Sequence, residues 1–320
     1  MSRPASPIHA PRLDLAACSV DEHCEALVRL RRLPMFWWNG TGRFFGNYSL
    51  PFRDASGRWW YQPHPGLAWP VEVYRPADAA GVRLPYAKSF LGWQHLVADE
   101  SAANSRLVFT TVLDLPAYGP ASLDHRRRNT IRRGLAHCRI QRLTNPDPEV
   151  FAASYRVWRD LTARVGYRHS ATERNLGETW RMLLDCPGVS ILVAREAQSG
   201  EVAGFLILRV IGDTACFDAL ASRTDLMATN VNSALMYAGL ANAARLPGVR
   251  RAFGALRWNR ATLEYFKRDL GFAALAFPAC TRLRPGIGPI MRLLAREKHA
   301  LITGTYEERL DGDGRSSRPP

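Results

Sequence analysis

Lysine is scarce in this chain, so the places where it occurs carry information. Of 43 Lys and Arg residues, only Lys88, Lys267 and Lys298 are lysines. Lys267 lies in the run RATLEYFKRDL, residues 260–270. A compact ammonium beside a reacting carbonyl stabilises a developing oxyanion or holds a phosphate. Near a helix end it can instead snorkel outward and complement the helix dipole. Asp218 sits within the apolar run CFDAL, residues 216–220. Facing inward it would orient or deprotonate an amine, and facing outward it would only be solvated. The segment Ser222–Asn230, SRTDLMATN, joins a strand-like run to a helical one. Backbone N–H groups at a helix start attract phosphate, and Arg223 would add a direct charge. The plainer reading of the same loop is a helix start capped by Thr229 or Asn230. The densest basic run is Arg126-Arg127-Arg128, then Arg132-Arg133, with Arg139 and Arg142 beyond. It suits an anionic acceptor, a nucleotide or a tRNA backbone, or else forms a solvated helical face.

Several chemistries are excluded. There is no G-x-S-x-G elbow and no evident Cys–His pairing, so no covalent nucleophile is expected. The cysteines, at 18, 24, 138, 186, 216 and 280, form no C-x-x-C pair, which argues against zinc or a disulfide framework. No metal is expected. The net charge of +14 favours anionic partners. No apolar run reaches the ~18 residues of a membrane helix. Pro4, Pro7, Pro11 and Asp14 interrupt the stretch a signal peptide would need, so a cytoplasmic protein is expected. The 47% hydrophobic content is ample for buried cores.

The elements that must position these residues follow from periodicity. Residues 1–20 read as a flexible lead, followed by a short helix over 22–32. Residues 35–106 are dense in aromatics, Pro and Gly, including Phe36, Trp37, Trp38, Trp59, Trp60 and Trp69, and read as short strands and tight turns with most tryptophans in a core. A strand is predicted over 107–115, then a helix that starts after Ser122 and ends near Gly134. Asn145-Pro146-Asp147-Pro148 marks a domain boundary. Beyond it come helices over 149–165 and 172–184, strands over 189–194, 202–211 and 215–221, a helix over 231–245, a strand over 250–256 and a helix over 260–270. Gly271 suits the left-handed position that ends that helix. A strand pair over 273–283 completes the core. Ile290, Leu293, Leu294 and Leu301 form an apolar stripe beside Arg292, Arg296 and Lys298. That helix would dock on its own domain or touch an acidic membrane surface.

The order helix, helix, three antiparallel strands, helix, strand, helix, strand resembles the GNAT acyltransferases. Asn259, Gly271 and Phe272 in RWNRATLEYFKRDLGF, residues 257–272, carry the likeness. The spacing from Asn259 to Gly271 is one residue longer than the common GNAT pattern, and Phe266-Lys267 takes the place of its tyrosine. This pair resembles the FemAB-like branch. So does VLDLPAYGPASLDHRRRNTIRRGLAHCRI, residues 112–140, with Arg128, Ile131 and Arg132 at the branch's spacing.

The resemblance implies an α+β fold with a mixed, mostly antiparallel sheet flanked by helices, as two GNAT-like domains in tandem. The expected organisation is a lead (1–20), a divergent amino-terminal domain (21–144), a carboxy-terminal GNAT domain (145–288) and a helix with a disordered tail (289–320). The implied activity is N-acyl transfer from an acyl-CoA such as acetyl-CoA to an amine. The alternatives are aminoacyl transfer from tRNA to a cell-envelope precursor or other small-molecule acceptor, and a binding module without catalysis. Lys267, Tyr265 and Asp218 are the catalytic candidates. Arg223, Thr224, Thr229, Asn230 and Asn259 would bind the donor, and Arg128 and Arg132 the acceptor. The glycine-rich pyrophosphate motif of most GNAT enzymes is absent from residues 222–230, as it is in FemAB-like proteins.

Overall fold

The computed structural model describes residues 8–30, 50–64, 66–166, 172–256 and 261–303. Eight helices and eleven strands are described: α1 (Val20–Arg29), β1 (Phe52–Arg53), β2 (Trp59–His64), β3 (Leu67–Pro70), β4 (Gly92–Leu96), β5 (Ser105–Val112), α2 (His125–His137), β6 (Cys138–Leu143), α3 (Pro148–Val165), α4 (Glu173–Leu184), β7 (Val189–Glu196), β8 (Val202–Ile211), β9 (Thr214–Ser222), α5 (Val231–Ala243), β10 (Arg251–Leu256), α6 (Ala261–Asp269), β11 (Ala273–Leu283), α7 (Ile287–Leu294) and α8 (Arg296–Thr303). The fold is α+β, with mainly antiparallel strands flanked by helices. The chain forms two compact units: residues 1–50, 110–255 and 259–273, and residues 51–109, 256–258 and 274–320.

In the first unit the strand order is β10-β9-β8-β7-β6. Pairing is antiparallel throughout except between β9 and β10, which run parallel. Strand alternation sends Leu192, Leu206, Leu208 and Val210 into a core shared with α2 and α5. Ile191, Val193, Phe205 and Ile207 enter a second core with α1, α3 and α4. α5 is mostly apolar and buried all round: of its thirteen residues only Asn232 is not buried. The caps are local. Asp124 accepts from the N–H of Arg127 and starts α2 two residues beyond Ser122. Gly271 takes a φ of 89°, as its position after α6 requires.

Two expectations about organisation differ from the structure. Both sides of the expected 144/145 boundary lie in the first unit, because β6 pairs with β7 along six residues. Asp147 and Pro148 are a helix start: the Asp147 carboxylate accepts from the N–H groups of Glu149 and Val150. From residue 8 the expected flexible lead is a packed strap. Ile8 and Leu15 are buried, and the buried Asn242 side chain accepts from the N–H of Leu13 and donates to the carbonyl of Pro11. The tail beyond residue 303 lies outside the described residues.

In the second unit the order is β1-β2-β3-β4-β11. The expected strand pair over 273–283 is one long strand, β11, antiparallel to β4. Trp60 and Trp69 are buried; their indole N–H groups donate to Asp54 and Gln94. Phe36, Trp37 and Trp38 lie outside the described residues.

Candidate functional site

The site is built where β9 and β10 part. Thr214, Ala215 and Cys216 pair with Arg251, Ala252 and Phe253, and the ladder stops there. Among the described residues the backbone from Phe217 to Ser222 has no strand partner on that side, which leaves an unpaired sheet edge. An aromatic wedge accompanies the parting. The Phe217 ring meets Phe272 edge to face, with centroids 6.0 Å apart. Small residues make room for it: a methyl on Gly254 would stand 2.9 Å from Phe272, and one on Gly239 3.0 Å from Phe217.

Lys267 lies at this wedge. Its half-buried ammonium donates to the carbonyl of Gly254, at 3.0 Å, one residue past the last β9–β10 pair. The ammonium therefore serves as a tether between α6 and β10 and stands where the strands diverge. Tyr265, on the same helix, is exposed, with Arg268 over its ring at 5.3 Å. Asp218 is elsewhere. The β8–β9 register shifts opposite Phe217 and Ala219, so Asp218 is the extra residue of a bulge. Its carboxylate accepts from Arg209 at 2.5 and 2.7 Å. Arg209 alternates with Leu208 and Val210 and so projects to the opposite face from α5. Asp218 is thus an ion-paired, exposed residue turned away from Lys267.

The loop before α5 has two electrostatically different ends. Arg223 is held by Asp225, at 3.1 and 2.5 Å, and by Glu201, at 2.6 Å. Those hydrogen bonds raise its pKa further above the ordinary arginine value. Its charge is already matched by two carboxylates. Thr224 donates its N–H to Asp160, and its hydroxyl accepts from Arg164 at 3.0 Å, so this end is fastened to α3. At the other end the Thr229 hydroxyl donates to the carbonyl of Leu226. Asn230 adopts φ 64° and provides no side-chain cap to α5. The first-turn N–H groups of α5 are therefore left for a ligand or solvent.

The helix α2 crosses that end. A methyl on Gly134 would lie 2.5 Å from the carbonyl oxygen of Asn230, so only glycine permits the approach. A cleft of about 580 Å³ results, lined by His125, Arg126, Asn129, Thr130 and Arg133 of α2 and by Ala228 and Asn230. Arg126 and Arg133 are exposed, with no carboxylate partner among the described residues. Arg128 and Arg132, the expected acceptor-binding pair, are engaged elsewhere. Arg128 donates to the carbonyls of Pro120 and Leu123, and Arg132 to the Asn129 side chain. Arg127 is buried; it pairs with Asp269 of α6 and donates to Ser233 of α5 at 3.2 Å. It fixes α2 on its neighbours. The arginine run thus divides by helical position, a distinction that the spacing contains but that cannot be assigned before the packing face is known. Asn259 lies outside the described residues. Among those residues no cluster of His, Cys, Asp or Glu could hold a metal ion.

No protein-family model matches the chain, and no curated protein matches it in sequence. Solved structures do. The C-terminal domain of a protein assigned as a lysylphosphatidylglycerol synthetase, from Agrobacterium fabrum, aligns over 88% of this chain and 93% of its own, at 14% identity and TM-score 0.52. FemX aligns over 59% of this chain and 63% of its own, at 11% identity and TM-score 0.45. A tandem GNAT protein from the clavulanic acid biosynthesis pathway aligns over 85% and 98%, at 13% identity and TM-score 0.43. The first of these, with the strand order of the first unit, defines a GNAT/FemAB-like fold.

Proposed function

We propose that the protein is an N-acyltransferase that takes an acyl group from a phosphate-bearing carrier, acyl-CoA in the first instance, and delivers it to an amine. The observation that carries the reading is the unpartnered edge of β9 next to an uncapped, arginine-flanked α5 amino terminus. A thioester carbonyl at the β9 edge would accept a backbone N–H. The carrier's phosphates would meet the α5 N–H groups, Thr229, Asn230, Arg126 and Arg133. Acyl transfer needs the C–N bond to form, the C–S bond to break and the amine proton to leave. A preorganised cation favours the negative charge that gathers on the carbonyl oxygen. Lys267 is assigned that role, with its Gly254 hydrogen bond as the means of positioning. Tyr265 is the candidate proton donor to the departing thiolate. In this reading Asp218 is not the base, because Arg209 holds it on the other face, and Arg223 and Thr224 shape the loop without binding the donor.

A second reading, aminoacyl transfer from tRNA, is favoured by the exposed cations of α2 and by the fold likeness to an aminoacyl-lipid synthetase domain. Thermal shift separates the two. Acetyl-CoA held at about 100 times its Kd stabilises the native state by ~2.7 kcal/mol. A saturable shift with acetyl-CoA supports the first reading. No shift with any acyl-CoA, together with steeply salt-dependent binding of charged tRNA, supports the second. Inertness to both donors identifies a non-catalytic binding module.

A further inference from the structure

We propose that the second unit carries a docking surface for an anionic lipid bilayer, formed by α7 and the segment Tyr86–Leu91. The inference does not depend on the donor or acceptor of the transfer reaction. Three of the eight residues of α7 are large apolar side chains turned to solvent: Leu293 is 84% exposed, Leu294 78% and Ile290 53%. The expected docking of this helix on its own domain is therefore not made through those residues. Tyr86, 69% exposed, and Phe90 add to the same region. Arg284 joins the two segments. Its guanidinium donates to the carbonyl and hydroxyl oxygens of Ser89 at 3.1 and 2.9 Å and lies 5.2 Å from the Tyr86 ring. Its N–H donates to the carbonyl of Leu91, and its own carbonyl accepts from Ile287 at the start of α7.

Charge identifies the occupant. Residues 282–296 contain Arg282, Arg284, Arg292 and Arg296, residues 85–96 contain Lys88, and neither segment holds an Asp or Glu. Single apolar residues on a surface need no explanation, but five in two adjoining segments whose charged residues are all cations do. A bilayer with acidic head groups presents one sign of charge above an apolar interior, and this surface matches it in both respects. Leu293 and Leu294 would enter the head-group boundary while Arg292 and Arg296 stay at phosphate level. No helix among the described residues is long and apolar enough to cross a membrane, so this contact lies on the surface.

The test is vesicle flotation of the full chain with phosphatidylcholine alone and with phosphatidylcholine containing one third phosphatidylglycerol. Binding to the anionic vesicles should be stronger by at least about tenfold, since each basic residue near such a surface contributes roughly a fivefold factor. The Leu293→Glu/Leu294→Glu variant should lose that binding by about a hundredfold, from two lost apolar insertions and two added repulsions. Val28→Glu, at an exposed site on α1, should bind like the parent. If the double variant unfolds at a lower temperature, Arg292→Glu/Arg296→Glu provides the same test from the charged side. Equal binding to neutral and anionic vesicles, no binding to either, or retention by the double variants would overturn the proposal. So would concentration-dependent dimerisation abolished by the leucine variant, which would assign the surface to a second copy of the chain.

Discussion

Removal of the Asp269 carboxylate should damage the first unit out of proportion to the size of the group. The carboxylate pairs with Arg127, and the two side chains are only 18% and 10% exposed. Asp269→Ala leaves a guanidinium largely out of water, with the Ser233 hydroxyl as its remaining side-chain partner among the described residues. Breaking a fully buried pair costs about 3–5 kcal/mol, because the surviving charge is uncompensated. Partial exposure of both groups lowers the expected cost to about 2–3 kcal/mol. For a domain of this size each kcal/mol moves Tm by about 2–4 °C, so the transition should fall by about 4–12 °C. The variant Arg127→Met/Asp269→Leu removes both charges and should lie within ~1.5 kcal/mol of the parent, most of that being the Ser233 hydrogen bond. Urea unfolding of the parent and both variants measures this directly, with equal slopes confirming that stability alone has changed. A cost below ~0.5 kcal/mol for Asp269→Ala, or a double variant as unstable as the single one, would refute the argument that this pair is a buried clasp.

Three further outcomes are expected. Lys267→Met should lower kcat by about 10²-fold or more with little change in KM, the magnitude of one lost oxyanion donor, and steady-state kinetics of the two constants checks it. Burial holds His23 neutral, with Arg209 adding to the effect, and lowers its pKa to about 4 from 6.5. Because the unfolded chain binds the proton first, stability is full above pH 6.5 and falls as the pH drops towards 4, by up to ~3 kcal/mol. His23→Gln should remove that slope in acid-denaturation curves, and a slope unchanged in the variant would assign it to other groups. Gly134→Val should force α2 off the α5 amino terminus, destabilise the chain by about 1–3 kcal/mol and weaken donor binding, as followed by thermal unfolding and titration.

Element existence was legible wherever a segment buries itself by its own composition. β8 is bounded by residues 202 and 211 as its apolar run, broken by one charge at Arg209, predicts, and α5 begins at 231. Organisation was less legible because it depends on partners distant in the chain. Asn145-Pro146-Asp147-Pro148 has the chemistry of a linker and of a helix start alike, and only the β6–β7 ladder distinguishes them. Nothing local marks Ile8 and Leu15 as buried, since Asn242, which anchors the strap, lies more than 220 residues away. The site shows the same division. Lys267 was singled out by residue type, because an ammonium stands out among arginines. The neutralisation of Arg223 depends on Glu201, the outward turn of Asp218 on a bulge, and the separate roles of Arg126, Arg127 and Arg128 on which face of α2 packs. None of these can be read from a window of sequence.

The most direct test of the proposed donor site is a calorimetric titration of acetyl-CoA into the parent chain and into Arg126→Glu/Arg133→Glu. Both arginines are exposed and line the cleft at the α5 amino terminus, so the variant should fold normally. Saturable binding to the parent is expected, with a loss of at least about tenfold in the variant, from two charge-assisted contacts turned repulsive. Equal affinity in both chains would contradict the placement of the donor at α5, and no binding to either would contradict acyl-CoA as the donor.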